Sequence, residues 1–108
     1  MVDEARTERE GRVHHTLLDL MPVMWHEFVD IKKAYRSIEK KYYGFLGVKY
    51  GRKKKEVLDI EDEAKIQDLM SGLHTINSYC MTHSKPYLNE RAYHLQFKIR
   101  DFLTDYRN

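Results

Sequence analysis

Breaks are scarce in this chain: two prolines and five glycines punctuate 108 residues, and no segment sustains the alternation of apolar and polar residues that a half-buried strand needs. Long helices are what remains. A lone cysteine, Cys80, excludes an intrachain disulfide framework and fits a reducing compartment, so the expected location is the cytoplasm. No run approaches the roughly 18 apolar residues of a membrane span, and the opening "MVDEARTEREGR" has no apolar signal core, so neither membrane insertion nor secretion is signalled. Charge of neither sign dominates. With 19 Lys and Arg against 17 Asp and Glu the net charge is +2, too small for whole-molecule attraction to a polyanion, so any such attraction has to come from a local patch.

What is present is enough apolar material for one fold. At 42% apolar and 33% charged residues the composition suits a folded, soluble helical chain and argues against intrinsic disorder. The length fits one domain over residues 1–108, in which 1–12 are expected to be a frayed or flexible N-terminus. Leu17, Met21, Met24, Phe28, Ile31, Tyr35, Ile38, Tyr42 and Phe45 follow at steps of four and three, which puts them on one helical face. That frame runs through Pro22, so the first helix is expected to continue from about Val13 with a kink at the proline. Gly44 and Gly47 close it behind Lys40 and Lys41, the charge sign that favours a helix C-terminus.

Ile66, Leu69, Leu73, Ile76, Cys80 and His83 make a second seam, and Asp59 offers an N-cap before the acidic turn "IEDE". A helix is therefore predicted from about Ile60 to His83. After "SKP", Leu88, Ala92, Leu95, Ile99, Phe102 and Tyr106 form a third seam that fills the C-terminus. The predicted fold class is all-α, an antiparallel three-helix bundle with a long, Pro-kinked first helix. A first helix of roughly 34 residues spans about 50 Å against some 36 Å for the second. The overhang leaves Val13, Leu17, Leu18, Leu20 and Met21, with Trp25 beside them, short of cover from their own chain. These six residues are the expected oligomer or partner interface, and self-association completes the bundle.

The strongest chemical signal is "KKYYGFLGVKYGRKKKE", Lys40 to Glu56. Lys40, Lys41, Lys49, Arg52, Lys53, Lys54 and Lys55 can neutralise phosphates, and Tyr50 or Tyr43 can stack on an unpaired base. A second reading is open, because cations at one helix end followed by Glu56, Asp59, Glu61, Asp62, Glu63 and Asp68 at the next helix start also complement two macrodipoles. Macrodipoles do not explain the density of "GRKKK" within a loop.

Other chemistry finds little footing. Cys80 and His83 have the spacing of a metal-ligand pair but lie on an apolar seam, and a structural site takes four convergent ligands; no metal and no cofactor is expected. Serines 37, 71, 78 and 84 lie in no Gly-x-Ser-x-Gly setting, and no glycine-rich phosphate loop precedes a helix, so no catalytic residue is assigned. "REGRVH", Arg9 to His14, has the arginine-to-histidine spacing of helical HEPN-type ribonucleases, but Gly11 interrupts it at the opposite end of the chain from that family's motif, and no family is assigned on it. Leu18, Trp25 and Val29, like Tyr93 and Phe97, read as stripes that widen buried faces. The expected function is a small non-enzymatic binding module, an accessory subunit whose basic aromatic loop contacts nucleic acid. The alternatives are a protein-interaction module using the apolar overhang and, behind it, a helical hydrolase or metal enzyme.

Overall fold

A computed structural model describes residues 21–106 of the chain. They form three long helices and one short one: α1 Met21–Tyr43, α2 Gly47–Tyr50, α3 Ile60–Thr82 and α4 Pro86–Thr104. No strand occurs among the described residues. The three seams are the core. Phe28, Ile31, Tyr35, Ile38 and Tyr42 of α1 meet Ile66, Leu73, Ile76 and Cys80 of α3 and Leu88, Ala92, Leu95, Ile99 and Phe102 of α4 in one buried cluster. Each buried aliphatic side chain contributes about 1.5–3 kcal/mol relative to exposure, which far exceeds any local helix propensity.

From Met21 to Tyr42 the steps of four and three are therefore read correctly, but not beyond it. Phe45 is 80% exposed, because α1 stops at Tyr43 and Gly44 enters the left-handed region at φ 78°. Its N–H still reaches the Lys40 carbonyl at 2.8 Å, closing the last turn. Gly47 follows at φ 74° and opens α2, a single turn that the sequence does not announce. A Cβ on Gly47 would stand 2.7 Å from the Glu39 carboxylate, so glycine is required there by backbone angle and by space.

Gly72 is tolerated inside α3 for a different reason. A Cβ there would come within 2.8 Å of Ile31 Cδ1, so the missing side chain is what lets α1 approach. Between α3 and α4 the turn is short: His83, Ser84 and Lys85, with Pro86 at the start of α4. Ser84 sits at φ 54° and the Lys85 N–H bonds back to the Cys80 carbonyl at 2.9 Å, the six-to-one closure of a helix end that usually carries glycine. Across these two helices the buried Asn77 donates to Gln96 Oε1 at 2.7 Å, a polar tie within an otherwise apolar seam.

Pro22 lies in the first turn of the described α1. The expected continuation across it, and the interface residues Val13, Leu17, Leu18 and Leu20, lie outside the described residues, as do the 1–12 segment and "REGRVH". Met21 and Trp25 are half-buried and pack against the core. Val29, expected to widen that buried face, is exposed.

Candidate nucleic-acid interface

The basic stretch begins on the last turn of α1, passes through α2 and continues through residues 51–59 to the start of α3. Its backbone is tied down from both sides. The Lys54 N–H donates to the Tyr42 carbonyl at 2.7 Å, and Tyr106, beyond the end of α4, donates its hydroxyl to the Lys55 carbonyl at 2.8 Å. Tyr42 is the hub of this end of the molecule. Its ring is fully buried, edge-on to Phe102 and Tyr106 at 5.5 Å from each. Its hydroxyl donates to Asp62 Oδ2 at 2.6 Å and accepts from the Asp59 N–H at 2.9 Å.

These ties sort the cations into two sets. Lys41 donates to Asp62 at 2.8 Å, Lys55 to Asp59 at 3.0 Å, and Lys53 to the Asp105 carbonyl at 2.9 Å while standing 4.2 Å over the Tyr106 ring. Lys40, Lys49, Arg52 and Lys54 face solvent and pair with no carboxylate among the described residues. Tyr50 is 70% exposed with the Lys49 ammonium 5.3 Å from its ring. Tyr43 is buried instead, its hydroxyl bonded to Asp105, so it presents no stacking face.

Asp59 also departs from its expected part. It stands at the N-cap position of α3 with extended backbone angles, yet its side chain makes no cap bond and is held by Lys55 and Lys41. The ordinary helix-end argument is thus overridden by cross-loop ion pairs. The bond from Lys55, aided by Lys41, holds the Asp59 carboxyl below its usual value. For Asp62, burial acts upward, and the hydrogen bonds from Lys41 and Tyr42 outweigh it, so this carboxyl too lies below the usual value. Burial, reinforced by a carboxylate partner in each case, pushes the Tyr42 and Tyr43 phenols well above theirs.

A second basic surface was not legible as a motif because two helices share it. Lys32, Lys33 and Lys40 are exposed along α1, and Arg91 and Lys98 along α4. The signal available in the sequence was the spacing of Lys32 and Lys40, eight apart, and of Arg91 and Lys98, seven apart, each pair on one helical face. Tyr93 and Phe97, expected to be packing, are 42% and 58% exposed, and Tyr87 is 60% exposed. Phe97 and Tyr87 line open grooves beside those cations. At the far end of α1 the half-buried Trp25 contacts Phe28 edge-on at 5.9 Å and Tyr87 at 5.8 Å.

Cys80 is buried in the core and burial raises its thiol pKa, partly offset by Lys85, so the thiolate is disfavoured. His83, three residues on, lies with its ring 4.6 Å from that of Tyr79. Among the described residues no cluster of three or more His, Cys, Asp or Glu side chains could hold a metal ion, and no helix is long and apolar enough to cross a membrane. Compared with protein-family models, with curated proteins and with solved structures, the chain matches none.

Proposed function

We propose that this protein is a small non-enzymatic helical module that binds nucleic acid, an accessory cytoplasmic subunit whose contact is the end loop after α1. The observation that carries the reading is the division of the loop cations. Lys41, Lys53 and Lys55 hold the loop in shape, and Lys40, Lys49, Arg52 and Lys54 pair with no carboxylate among the described residues on that frame, beside the exposed Tyr50. Cations held apart from acidic neighbours on an ordered loop lose little freedom when a phosphate arrives, and each phosphate they neutralise releases a counterion. The test is a salt titration of oligonucleotide binding. Replacing Lys40, Lys49, Arg52 and Lys54 together by glutamine should remove most of a log-log slope of about three. If the variant binds as the parent does, or if the parent binds nothing at low salt, the loop is not the contact.

The protein-interaction reading is favoured by one observation of its own: at the start of the described α1, Val23 is 55% exposed next to the half-buried Met21, Met24 and Trp25. On that reading the three long helices form an antiparallel bundle, α1 continues with a bend across Pro22, and two copies associate through Val13, Leu17, Leu18, Leu20, Met21 and Trp25. Leu18→Glu with Met21→Glu should dissociate the dimer in light scattering with helicity retained. A parent that stays monomeric at high micromolar concentration refutes the association.

A further inference from the structure

We infer, building on the nucleic-acid reading above, that the ligand is single-stranded and runs from the end loop along the furrow between α1 and α4, its bases stacking on the exposed rings of Tyr50, Phe97 and Tyr87. Two open grooves make up that furrow. One, of about 360 Å³, lies between Phe28 and Lys32 of α1 and Tyr87, Arg91 and Lys98 of α4. The other, of about 710 Å³, reaches from Arg36 across Phe97 and Lys98 to Lys49 and Tyr50 of α2. Both have His94 and Lys98 in their walls, so they adjoin along α4, and the second ends on residues of the loop itself. From Tyr87 to Lys98 the wall formed by α4 is about 16 Å long.

Charge along this path favours an anion. Lys32, Lys49, Arg91 and Lys98 stand on it, against Glu90 and Asp101 in its walls. The remaining acid, Glu39, is buried and already held by Arg36 at 2.6 Å and by the Tyr35 hydroxyl at 2.8 Å, so its charge is largely offset. The rings decide between one strand and two. Tyr50, Phe97 and Tyr87 are exposed on the same path as the cations, and their faces can be used only by bases that are not already stacked inside a duplex. Cations tracking a backbone with aromatic rings between them are the combination that grips unpaired strands without sequence preference. A peptide of acidic residues alone could satisfy the lysines but would leave the rings unused.

The experiment measures anisotropy of a labelled oligodeoxythymidine dodecamer, and of a duplex of the same length, across a range of salt with the full chain. Three variants are compared with the parent: Lys32→Gln with Arg91→Gln and Lys98→Gln, Tyr87→Ala with Phe97→Ala, and Arg52→Gln with Lys54→Gln in the loop. Circular dichroism checks that each retains its helices, and Lys32→Gln with Lys98→Gln replaces the triple variant if Arg91 proves necessary for folding. The parent should bind the single strand more tightly than the duplex. The furrow-charge variant should lose about two units of log-log slope, at roughly 0.7 per phosphate. The ring variant should weaken single-strand binding about tenfold or more at unchanged slope, since stacking is worth about 1–3 kcal/mol per base. Equal affinity for duplex, a ring variant that binds like the parent, or polyglutamate competing as well as the strand overturns the inference. So does a loss confined to the loop variant, which leaves the loop reading standing. No binding of either oligonucleotide by the parent removes that reading, and this inference falls with it.

Discussion

The two connections between the long helices solve the same problem by different means. Between α3 and α4 three residues suffice, closed by backbone hydrogen bonds: His83 to Tyr79 at 2.9 Å, Lys85 to Cys80 at 2.9 Å, Asn89 to Lys85 at 3.1 Å. Between α1 and α3 residues 44–59 are held by bonds that reach outside the connection: the Asp59 N–H donates to the Tyr42 hydroxyl, the Tyr106 hydroxyl donates to the Lys55 carbonyl, and Lys53 donates to the Asp105 carbonyl. A short turn is set by local geometry, whereas a long one has to be given its shape by the rest of the fold. The cost of the second solution is that some charges become structural and only the remainder are available to a ligand.

Breaking the hub should have the largest effect. Tyr42→Ala removes a fully buried ring together with both hydroxyl bonds and should cost about 3–5 kcal/mol in urea unfolding. A loss below about 1 kcal/mol would mean that the long connection holds itself. Asp62→Ala comes next, leaving the Tyr42 hydroxyl without its acceptor, at about 1–3 kcal/mol. This position also carries a pH signature. Because the folded Asp62 carboxyl lies below its unfolded value, its stabilisation is complete above the ordinary aspartate value of 3.8 and is lost as pH falls through the depressed folded value. The parent should therefore lose stability more steeply in acid than Asp62→Ala, read from urea midpoints between neutral pH and about pH 2. At the alkaline end the raised Tyr42 and Tyr43 phenols act in the opposite direction. They stabilise fully below the ordinary tyrosine value of 10.0, and that contribution disappears as pH rises through their higher folded values.

The short turn offers a gain instead of a loss. Ser84 holds a left-handed angle that costs an L-residue about 1–2 kcal/mol, so Ser84→Gly should stabilise the protein by about 0.5 kcal/mol after the added freedom of the unfolded chain is counted. Destabilisation there would show that the serine side chain matters to the turn. The smallest effect sharpens the division of the lysines. Lys53→Gln with Lys55→Gln should lower the urea midpoint slightly with unchanged slope, and Arg52→Gln with Lys54→Gln should leave it where it was. Equal midpoints for the two pairs would erase the distinction between anchoring and presented cations.

The helices themselves were legible because one periodicity ran through each. Phe28, Ile31, Tyr35, Ile38 and Tyr42 all proved buried, and the predicted bounds of α3 agree with the structure to within a residue. Phe45, Val29, Tyr93 and Phe97 were misread for a common reason. Apolar spacing says which residues share a face, but not whether another helix arrives to cover it. For the basic stretch, the sequence supplied the charges and could not pair them, since Lys53 meets Asp105 and Tyr106 only after α4 has packed against α1.

By itself, then, the sequence determined an all-α chain, its three main seams and a concentration of positive charge after the first, because helical period and charge density are properties of neighbours along the chain. The tertiary structure decided which lysines are ties and which are presented, that Asp59 answers Lys55 and not its own helix end, and that cations and rings on α1 and α4 line adjoining grooves. Those outcomes depend on side chains separated by tens of residues coming within hydrogen-bond distance, and such distances exist only once the core has closed.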